Sequence, residues 1–340
     1  MRGAVIYGPG DVRFEERTVP AIIMPTDAVI RISATCVCGS DLWDYRGINR
    51  IESPTPIGHE YCGIVEEIGS AVTSVKPGQF VIGSFFASDN SCPICRAGYH
   101  SSCQHREFVG GAQADLLRVP LADGTLLATP DVPSDDLIPS LLALSDVMGT
   151  GWFAADAANV TRGATVAVVG DGAVGLLGVL SARQMGAERI FAMSRHESRQ
   201  KLAREFGATD IVTERGDEGV ARIKDLTNGV GADSVLECVG SQESMMQAIH
   251  STRPGGSVGY VGVPHGVELH GQELFFAHIH LHRGPAPVRR YLPDLINQVW
   301  HRKINPGRVF DLTLPLDQVA EGYRAMDERR AIKTLLLSRN

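Results

Sequence analysis

The most constraining stretch of this chain is Ala164 to Arg195, where a strand, a glycine-rich turn, a helix and a second strand follow one another. Thr165 to Val169 is a continuous apolar run rich in valine, which is typical of a strand buried on both faces. An apolar stripe at helical spacing predicts a helix from Ala173 to Met185, and Arg189 to Met193 reads as the second strand. The pattern indicates a β-α-β unit of a parallel sheet.

The turn between the first strand and the helix reads Gly-Asp-Gly-Ala-Val-Gly, a G-x-G-x-x-G pattern. One glycine makes the tight turn, one lets the backbone approach a pyrophosphate, and one packs the helix against the strand. The helix N-terminus adds free N–H groups and positive potential for the phosphates. A plain β-α turn is the alternative, but the flanking strands and helix favour a dinucleotide site. Its predicted contacts are Gly170, Gly172, Ala173, Val174 and Gly175.

The end of the second strand predicts which dinucleotide is bound. An NAD site usually has Asp or Glu there, about twenty residues after the turn, to bind the ribose 2′-hydroxyl. This chain has Met193, Ser194 and Arg195 instead, so we expect no carboxylate that would repel a 2′-phosphate. A hydroxyl and a guanidinium can both bind that phosphate. The sequence therefore predicts NADP(H), and an ordinary surface cation is the alternative interpretation of Arg195.

Composition excludes several classes of protein. The 340 residues suggest about two domains, 44% of them are hydrophobic, and the net charge of −7 comes without a basic stripe, so we expect no nucleic-acid partner. The first residues have no apolar h-region and no run of eighteen apolar residues occurs, so we expect no signal peptide and no membrane span. Seven cysteines, an odd number and partly clustered, favour metal ligation in a reducing compartment, with the cytoplasm as the expected location.

Candidate metal ligands occur at three separate places before the glycine turn. They are Cys38 within Cys-Gly-Ser-Asp, His59 within Gly-His-Glu, and Asp146 within Leu-Ser-Asp. A thiolate, an imidazole and a carboxylate leave one position of a tetrahedral zinc open, which is typical of a catalytic site. Each residue alone has another interpretation, as a small core residue, a turn residue or a helix cap. Spacing in the sequence does not establish that the three converge.

A second cluster is denser, with Cys92, Cys95 and Cys103 inside twelve residues. Cys-x₂-Cys followed by a third cysteine on a glycine-containing loop is typical of a structural zinc site. Asp89, at the same x₂ spacing, is the candidate fourth ligand. A metal-free reduced loop is the alternative.

Taken together, these motifs make the chain resemble the zinc-dependent medium-chain dehydrogenase/reductase family, the alcohol and polyol dehydrogenases, over essentially its whole length. The resemblance implies an α/β protein with two domains. A GroES-like, β-rich catalytic domain is expected from residues 1–147 and 287–340, and an inserted Rossmann domain, a doubly wound parallel sheet, from residues 148–286. The Gly- and Pro-punctuated short strands before residue 130 agree with a barrel-like unit.

The resemblance also implies roles for individual residues. Cys38, His59 and Asp146 are expected to bind the catalytic zinc. Glu60 is expected to bind the metal or shift off it during turnover, and Ser40 to relay the substrate proton. Two departures from the family pattern affect these expectations. Asp89 replaces the first cysteine of the lobe, so its zinc is expected to bind more weakly or to be absent. Trp43 replaces the histidine through which many members release the proton.

The expected reaction is hydride transfer between NADP(H) and an alcohol/carbonyl pair, with zinc as Lewis acid and reduction of an aldehyde or ketone favoured. Trp43 and Phe85 favour an apolar or aromatic substrate, and a homodimer or homotetramer is expected. The alternatives are an NAD-dependent polyol or amino-alcohol dehydrogenase of the same family, a zinc-free reductase, and a non-catalytic NADP(H)-binding redox sensor. His278, His280 and His282, at period two, are expected on one strand face as polar or cofactor-contact residues.

Overall fold

The computed structural model describes residues 1–338, and its strands and helices lie in two compact units. One unit is Met1–Gly149 together with the chain from Pro287 onwards, and the other is Thr150–Ala286. The strands are β1 Arg2–Gly8, β2 Asp11–Glu16, β3 Ala28–Cys36, β4 Thr55–Pro56, β5 Tyr61–Ile68, β6 Phe80–Gly83, β7 Phe86–Ala87, β8 Glu107–Phe108, β9 Leu116–Val119, β10 Leu126–Ala128, β11 Thr165–Val169, β12 Arg189–Met193, β13 Asp210–Val212, β14 Ala232–Glu237, β15 Thr252–Tyr260, β16 His280–Arg283, β17 Leu312–Pro315 and β18 Thr334–Leu337.

Most of the helices are short, and only α5, α6, α8 and α11 exceed ten residues. They are α1 Asp41–Tyr45, α2 Pro93–Arg96, α3 Ala122–Thr125, α4 Ile138–Ala143, α5 Val147–Ala157, α6 Ala173–Gln184, α7 Glu197–Phe206, α8 Gly216–Leu226, α9 Gln242–Ser251, α10 Gly271–Ala277, α11 Val288–Trp300 and α12 Val319–Asp327. Among the described residues, no single helix is long and apolar enough to cross a membrane. The segments Asp135–Ala143 and Val147–Ala157 meet the length and composition criteria only in combination, as a bent pair.

The unit formed by the two chain ends is built on one mostly antiparallel sheet, in the order β10-β6-β5-β3-β18-β17, with β9 also paired to β3. The C-terminal strand β18 runs antiparallel to β3, so the last part of the chain completes the sheet of the first part. Inward-facing residues such as Ile30, Tyr61 and Val81 are almost fully buried in its core. Burial of each such side chain contributes about 1.5–3 kcal/mol. A GroES-like β-rich unit is thereby confirmed.

The second unit is a six-stranded sheet in the order β13-β12-β11-β14-β15-β16, and all of its neighbouring strands are parallel. The predicted strands β11 and β12 are confirmed, including both ends of each. Helix α6 begins at the predicted residue and ends one residue earlier than predicted. Val166, Ala167 and Phe191 are fully buried, as expected for strands covered on both faces. This strand order is the doubly wound Rossmann arrangement, which places ligands at the carboxyl ends of the strands where the order reverses, between β11 and β14.

Candidate active site and zinc sites

The first ligand cluster lies at one end of the neighbouring strands β3 and β5. These strands are antiparallel, with Thr35 opposite Tyr61, so the end of β3 and the start of β5 meet at the same edge. Cys38 follows β3 and His59 precedes β5, which brings two residues far apart in sequence onto adjacent loops. Asp146 arrives from the segment between α4 and α5.

The geometry of this cluster fits a zinc ion. One ligand atom from each of Cys38, His59, Glu60 and Asp146 lies within 4.8 Å of all the others. Oδ2 of Asp146 is 3.7 Å from Sγ of Cys38 and 3.2 Å from Nε2 of His59. All four residues are buried. Buried acidic and basic donors pointing at a common centre are costly unless they are paired or bind a metal, and this donor set is the one that zinc prefers.

Asp41 holds two of the ligands from behind, a role that was not predicted from the sequence. Its Oδ1 is 3.2 Å from Nδ1 of His59, and its Oδ2 accepts the backbone N–H of Cys38 at 2.9 Å. A carboxylate on Nδ1 directs Nε2 toward the metal. Burial alone would lower the pKa of His59, but Asp41 and Cys38 outweigh it and raise that pKa well above its ordinary value. A metal ion would displace that proton on binding.

Glu60 carries an ion pair that the sequence reasoning also missed. Nζ of Lys333 donates to Oε1 of Glu60 at 2.6 Å and to the carbonyl of Val37 at 3.1 Å. Burial alone would lower the pKa of Lys333, but the buried thiols and the Glu60 carboxylate raise it well above its ordinary value. Lys333 is therefore charged, and its ammonium group is hydrogen-bonded to one of the two oxygens of Glu60, the carboxylate predicted to approach the metal.

The surroundings of His59 are aromatic and partly open. Ring centroids of Phe85 and Phe108 lie 6.1 Å and 5.6 Å from that of His59. Phe85 was singled out from the sequence, whereas Phe108 was not. Ser40 is exposed at the start of α1 and Trp43 is half-buried within it. An exposed Ser40 hydroxyl can exchange a proton with water without a histidine in between.

The second cluster brings together all four predicted ligands, Asp89, Cys92, Cys95 and Cys103, with ligand atoms within 4.8 Å of one another. The three cysteines are buried, and Sγ of Cys92 lies 3.9 Å from Sγ of Cys103. Backbone N–H groups of Asp89 and Cys95 donate to two of the sulfurs, at 3.4 Å each. Such N–H donors stabilise thiolates, so the lobe is organised for a metal with four protein ligands and no open position.

His105 supports the aspartate of this lobe and was not predicted. Its Nδ1 is 2.6 Å from Oδ2 of Asp89, whose Oδ1 accepts the N–H groups of Ser91 and Cys92 at 2.8 and 3.0 Å. Burial would raise the pKa of Asp89, but these donors outweigh it and hold that pKa well below its usual range. Asp89 is thus ionised and fixed in orientation, as a metal ligand must be.

The glycine turn of the second unit has the shape that a dinucleotide requires. Gly170 has φ +114°, a left-handed conformation, and a Cβ on Gly175 would lie 2.0 Å from the carbonyl oxygen of Gly170. A Cβ on Gly172 would meet nothing within 4 Å, so that side of the turn is free for a ligand. No side chain caps α6, whose first turn contains Ala173 and Val174, so its N–H groups remain available to phosphates.

At the end of β12 the expected absence of a carboxylate is wrong. Asp171, from the glycine turn itself, accepts the hydroxyl of Ser194 on Oδ2 at 2.8 Å and pairs with Arg199 at 3.1 Å. Ser194 is buried, whereas Arg195 is exposed and uses Nε to donate to the carbonyl of Thr213 at 3.1 Å. Asp171 lies 23 positions before Ser194 in the sequence, so the residues of the strand end alone do not reveal it.

The three histidines near the end of this unit do not share one strand face. His280 and His282 belong to β16, but His278 lies before the strand, at the end of α10 with φ +55°. The ring of His282 packs edge-on against Phe153, with centroids 5.6 Å apart. Among the described residues, no cluster of metal-ligating groups includes these histidines.

A β-rich unit with two clusters of four residues that could each hold a metal ion, in one chain with a Rossmann nucleotide fold, is the arrangement of a zinc-dependent dehydrogenase. Comparison with known proteins agrees with this class. The sequence model for the alcohol dehydrogenase GroES-like domain matches residues 24–131, and that for zinc-binding dehydrogenases matches residues 173–289.

Individual relatives cover most of the chain. A probable zinc-binding alcohol dehydrogenase of Mycobacterium tuberculosis is 37% identical over 95% of this chain and 84% of its own length. The NADP-dependent isopropanol dehydrogenase of Entamoeba histolytica is 31% identical over 85% of this chain and 82% of its own. The solved alcohol dehydrogenase TADH from Thermus sp. ATN1 is 30% identical, covers 100% of both chains and has a TM-score of 0.91. The chain therefore belongs to the zinc-dependent medium-chain dehydrogenase/reductase family and is an oxidoreductase.

Proposed function

We propose that this protein transfers a hydride between NADP(H) and an alcohol/carbonyl pair, and that reduction of an aldehyde or ketone is the physiological direction. The observation that carries the proposal is the convergence of Cys38, His59 and Asp146 on one point, with Asp41 fixing two of them. With these three residues as ligands and the neighbouring Glu60 off the metal, one coordination position is open for substrate, whereas all four residues of the lobe would be ligands.

Each residue has a defined task in this reaction. When bound, zinc supplies Lewis-acid polarisation of the carbonyl. Cys38, His59 and Asp146 hold the ion, and Asp41 keeps the imidazole in the tautomer that binds through Nε2. The Ser40 hydroxyl gives a proton to the substrate oxygen as hydride reaches the carbonyl carbon, and water restores the proton because Ser40 is exposed. Oxidation of the alcohol uses the same residues in reverse.

Two observations support NADP(H). Arg195 is exposed at the strand end and bonds the carbonyl of Thr213 through Nε alone. Its two terminal nitrogens take no part in that bond, so they can bind a 2′-phosphate. The Entamoeba relative is named as NADP-dependent. Asp171 favours the alternative, NAD(H), because its carboxylate stands beside Ser194 and would accept a ribose hydroxyl. Arg199 neutralises that carboxylate, and we therefore retain NADP(H) as the proposal.

The aromatic rings around the metal cluster support a proposal for the substrate class. Phe85 and Phe108 flank His59 on the side of β7 and β8, and we propose an apolar or aromatic alcohol/carbonyl pair. We also propose a homo-oligomer, since α10 exposes Phe275 and Phe276 near the edge strand β16. Light scattering of the purified protein tests the oligomer, and a monomer at micromolar concentration would contradict it.

The test of function combines metal analysis with turnover. Zinc content and kcat/KM are measured for aromatic and short aliphatic aldehydes and alcohols with NADP(H) and NAD(H). Cys38→Ser should remove most of the activity while the fold and nucleotide binding persist. Cys62→Ser is the matched control, because Cys62 is a buried thiol on β5 outside both clusters. Full activity in a Cys38→Ser protein shown to lack zinc at this site would refute the zinc mechanism. Zinc-loaded protein without turnover on any substrate would favour the redox sensor.

A further inference from the structure

Lys333 reaches the metal cluster through the pairing of β18 with β3. Leu335 is opposite Cys36 in this antiparallel pair, and the N–H of Val37 donates to the first carbonyl of β18 at 3.2 Å. Continuing the register by two residues, past the end of the paired strands, places Lys333 opposite Cys38. The C-terminal segment therefore delivers a lysine to the loop that carries the thiolate ligand.

The contacts of Lys333 join both ligand loops. Its Nζ bonds the carbonyl of Val37, next to Cys38, and Oε1 of Glu60, next to His59. Lys333 is 1% exposed and Glu60 is 0% exposed. Lysine and glutamate are almost never buried to this extent unless they are paired. Removing one member would leave the other charge buried without compensation.

Only one of the two carboxylate oxygens of Glu60 is hydrogen-bonded among the described residues. Its Oε2 is buried and has no hydrogen-bond partner among the described residues. One of its carboxylate oxygens lies within 4.8 Å of the ligand atoms of Cys38, His59 and Asp146. A buried carboxylate oxygen without a donor is unfavourable, so Glu60 could bind a cation at the cluster unless its pairing with Lys333 through Oε1 keeps the carboxylate in place.

From this arrangement we propose that Lys333 is a positioning residue that holds the Glu60 carboxylate off the catalytic zinc and so keeps the fourth coordination position open for substrate. The proposal rests on zinc binding at this cluster, as put forward under the proposed function. Zinc with the Cys38 thiolate and the Asp146 carboxylate carries no net charge. Glu60 would add one negative charge, which Lys333 balances from outside the coordination sphere.

Without the ammonium, zinc is the cation that remains for Glu60. The carboxylate then becomes a fourth protein ligand, and the site turns into a closed one, as structural zinc sites are. Lys333→Met should therefore slow zinc release from this site by about tenfold or more, which corresponds to about 1.4 kcal/mol. It should also lower kcat, because substrate must displace Glu60.

The experiment measures zinc release from the holoenzyme to a chromogenic chelator and the visible spectrum of the cobalt(II) form. Zinc is expected to leave the two sites in separate kinetic phases. The phase that Cys38→Ser abolishes is assigned to the catalytic site, and the remaining phase is assigned to the lobe. Lys333→Arg, which keeps the charge, should release zinc within about threefold of the parent. Lys303→Met makes the same change at an exposed lysine and should have no effect.

A double-mutant comparison tests whether Lys333 acts through Glu60. Lys333→Met should alter the cobalt spectrum and slow release, whereas Lys333→Met combined with Glu60→Gln should match Glu60→Gln alone within about twofold. Glu60→Gln in the presence of Lys333 should leave the resting cobalt spectrum unchanged, since Glu60 is already off the metal. If Lys333→Met does not fold, this measurement still tests whether Glu60 is off the metal in the parent, and a changed spectrum overturns the proposal.

Three outcomes would overturn the proposal. Zinc release that is unchanged or faster in Lys333→Met would show that Lys333 does not restrain a ligand. A changed resting cobalt spectrum in Glu60→Gln would show that Glu60 binds the metal in the parent. If the effects of Lys333→Met and Glu60→Gln on zinc release simply added in the double variant, Lys333 would have a structural role that does not depend on Glu60. Failure of the proposed function is distinct, because the parent would then lack the zinc phase that depends on Cys38.

Discussion

Replacing Arg195 with alanine should weaken NADP(H) and leave NAD(H) almost unchanged. Arg195, Arg199 and Asp171 lie at the end of β12, and the carboxylate of Asp171 is already paired with Arg199 at 3.1 Å. Arg195 is therefore the cation available to a 2′-phosphate, which carries nearly two negative charges at neutral pH. Its removal takes away this cation and leaves the Asp171 carboxylate 2.8 Å from the Ser194 hydroxyl.

The magnitude follows from the exposure of Arg195. A hydrogen bond to a charged group contributes about 1.5–3 kcal/mol, which corresponds to about ten- to a hundredfold in binding. Because the side chain is exposed, solvent screening places the expected loss of kcat/KM for NADP(H) near tenfold, at the lower end. The loss should shrink as salt is raised. Adding Met193→Asp should reverse the preference, since the new carboxylate accepts the 2′-hydroxyl and repels a phosphate.

The assay is kcat/KM for both cofactors in the parent and in Arg195→Ala, at low and high ionic strength. Arg204→Ala is the control, because Arg204 is exposed in the last turn of α7. A parent that prefers NAD(H), or a substitution that weakens both cofactors equally, would show that Arg195 is an ordinary surface cation. The carboxylate of Asp171 would then be the residue that selects the cofactor.

Other variants test the remaining contacts. Asp171→Asn should raise the NADP(H)/NAD(H) ratio of kcat/KM several-fold, because it removes the carboxylate and frees Arg199; a ratio that falls would contradict this. Asp41→Asn should lower zinc affinity of the catalytic site by about 10- to 100-fold through loss of the His59 partner, measured by competition with a chelator; unchanged affinity would contradict it. Cys95→Ala should lower Tm and zinc content while turnover per folded molecule changes little, and a stable but inactive protein that keeps its catalytic zinc would show that the lobe is not structural.

The nucleotide fold could be predicted from the sequence because its determinants are local. Strand, turn and helix follow within Thr165 to Gln184, and a Cβ on Gly175 would collide with the carbonyl of Gly170 in the same turn. Cys92 and Cys95 are also local, and their spacing alone predicts a metal lobe. The proximity of Cys38 and His59 could not be predicted from sequence spacing, because it depends on the pairing of β3 with β5.

The residues that the sequence did not reveal act through contacts between distant segments. Lys333 reaches Glu60 across 273 positions, and His105 reaches Asp89 across 16. Lysine at the start of a strand is an ordinary surface pattern, and nothing nearby in sequence marks it as buried. Asp171 was visible inside the glycine motif, but its side chain was not expected to turn back to the end of β12.

The carboxylates in the two metal-ligand clusters differ in the residues that hold them, and this difference distinguishes the proposed catalytic site from the proposed structural site. In the lobe, Asp89 is fixed by His105 and completes a four-ligand set, so no position remains for a substrate. In the catalytic cluster two carboxylates are within reach of the metal, which would also make four ligands. Asp146 is hydrogen-bonded to a fellow ligand, whereas Glu60 is held by the ammonium of Lys333. On the proposed role of Lys333, this lysine just before β18, and not the ligand residues alone, keeps the centre open.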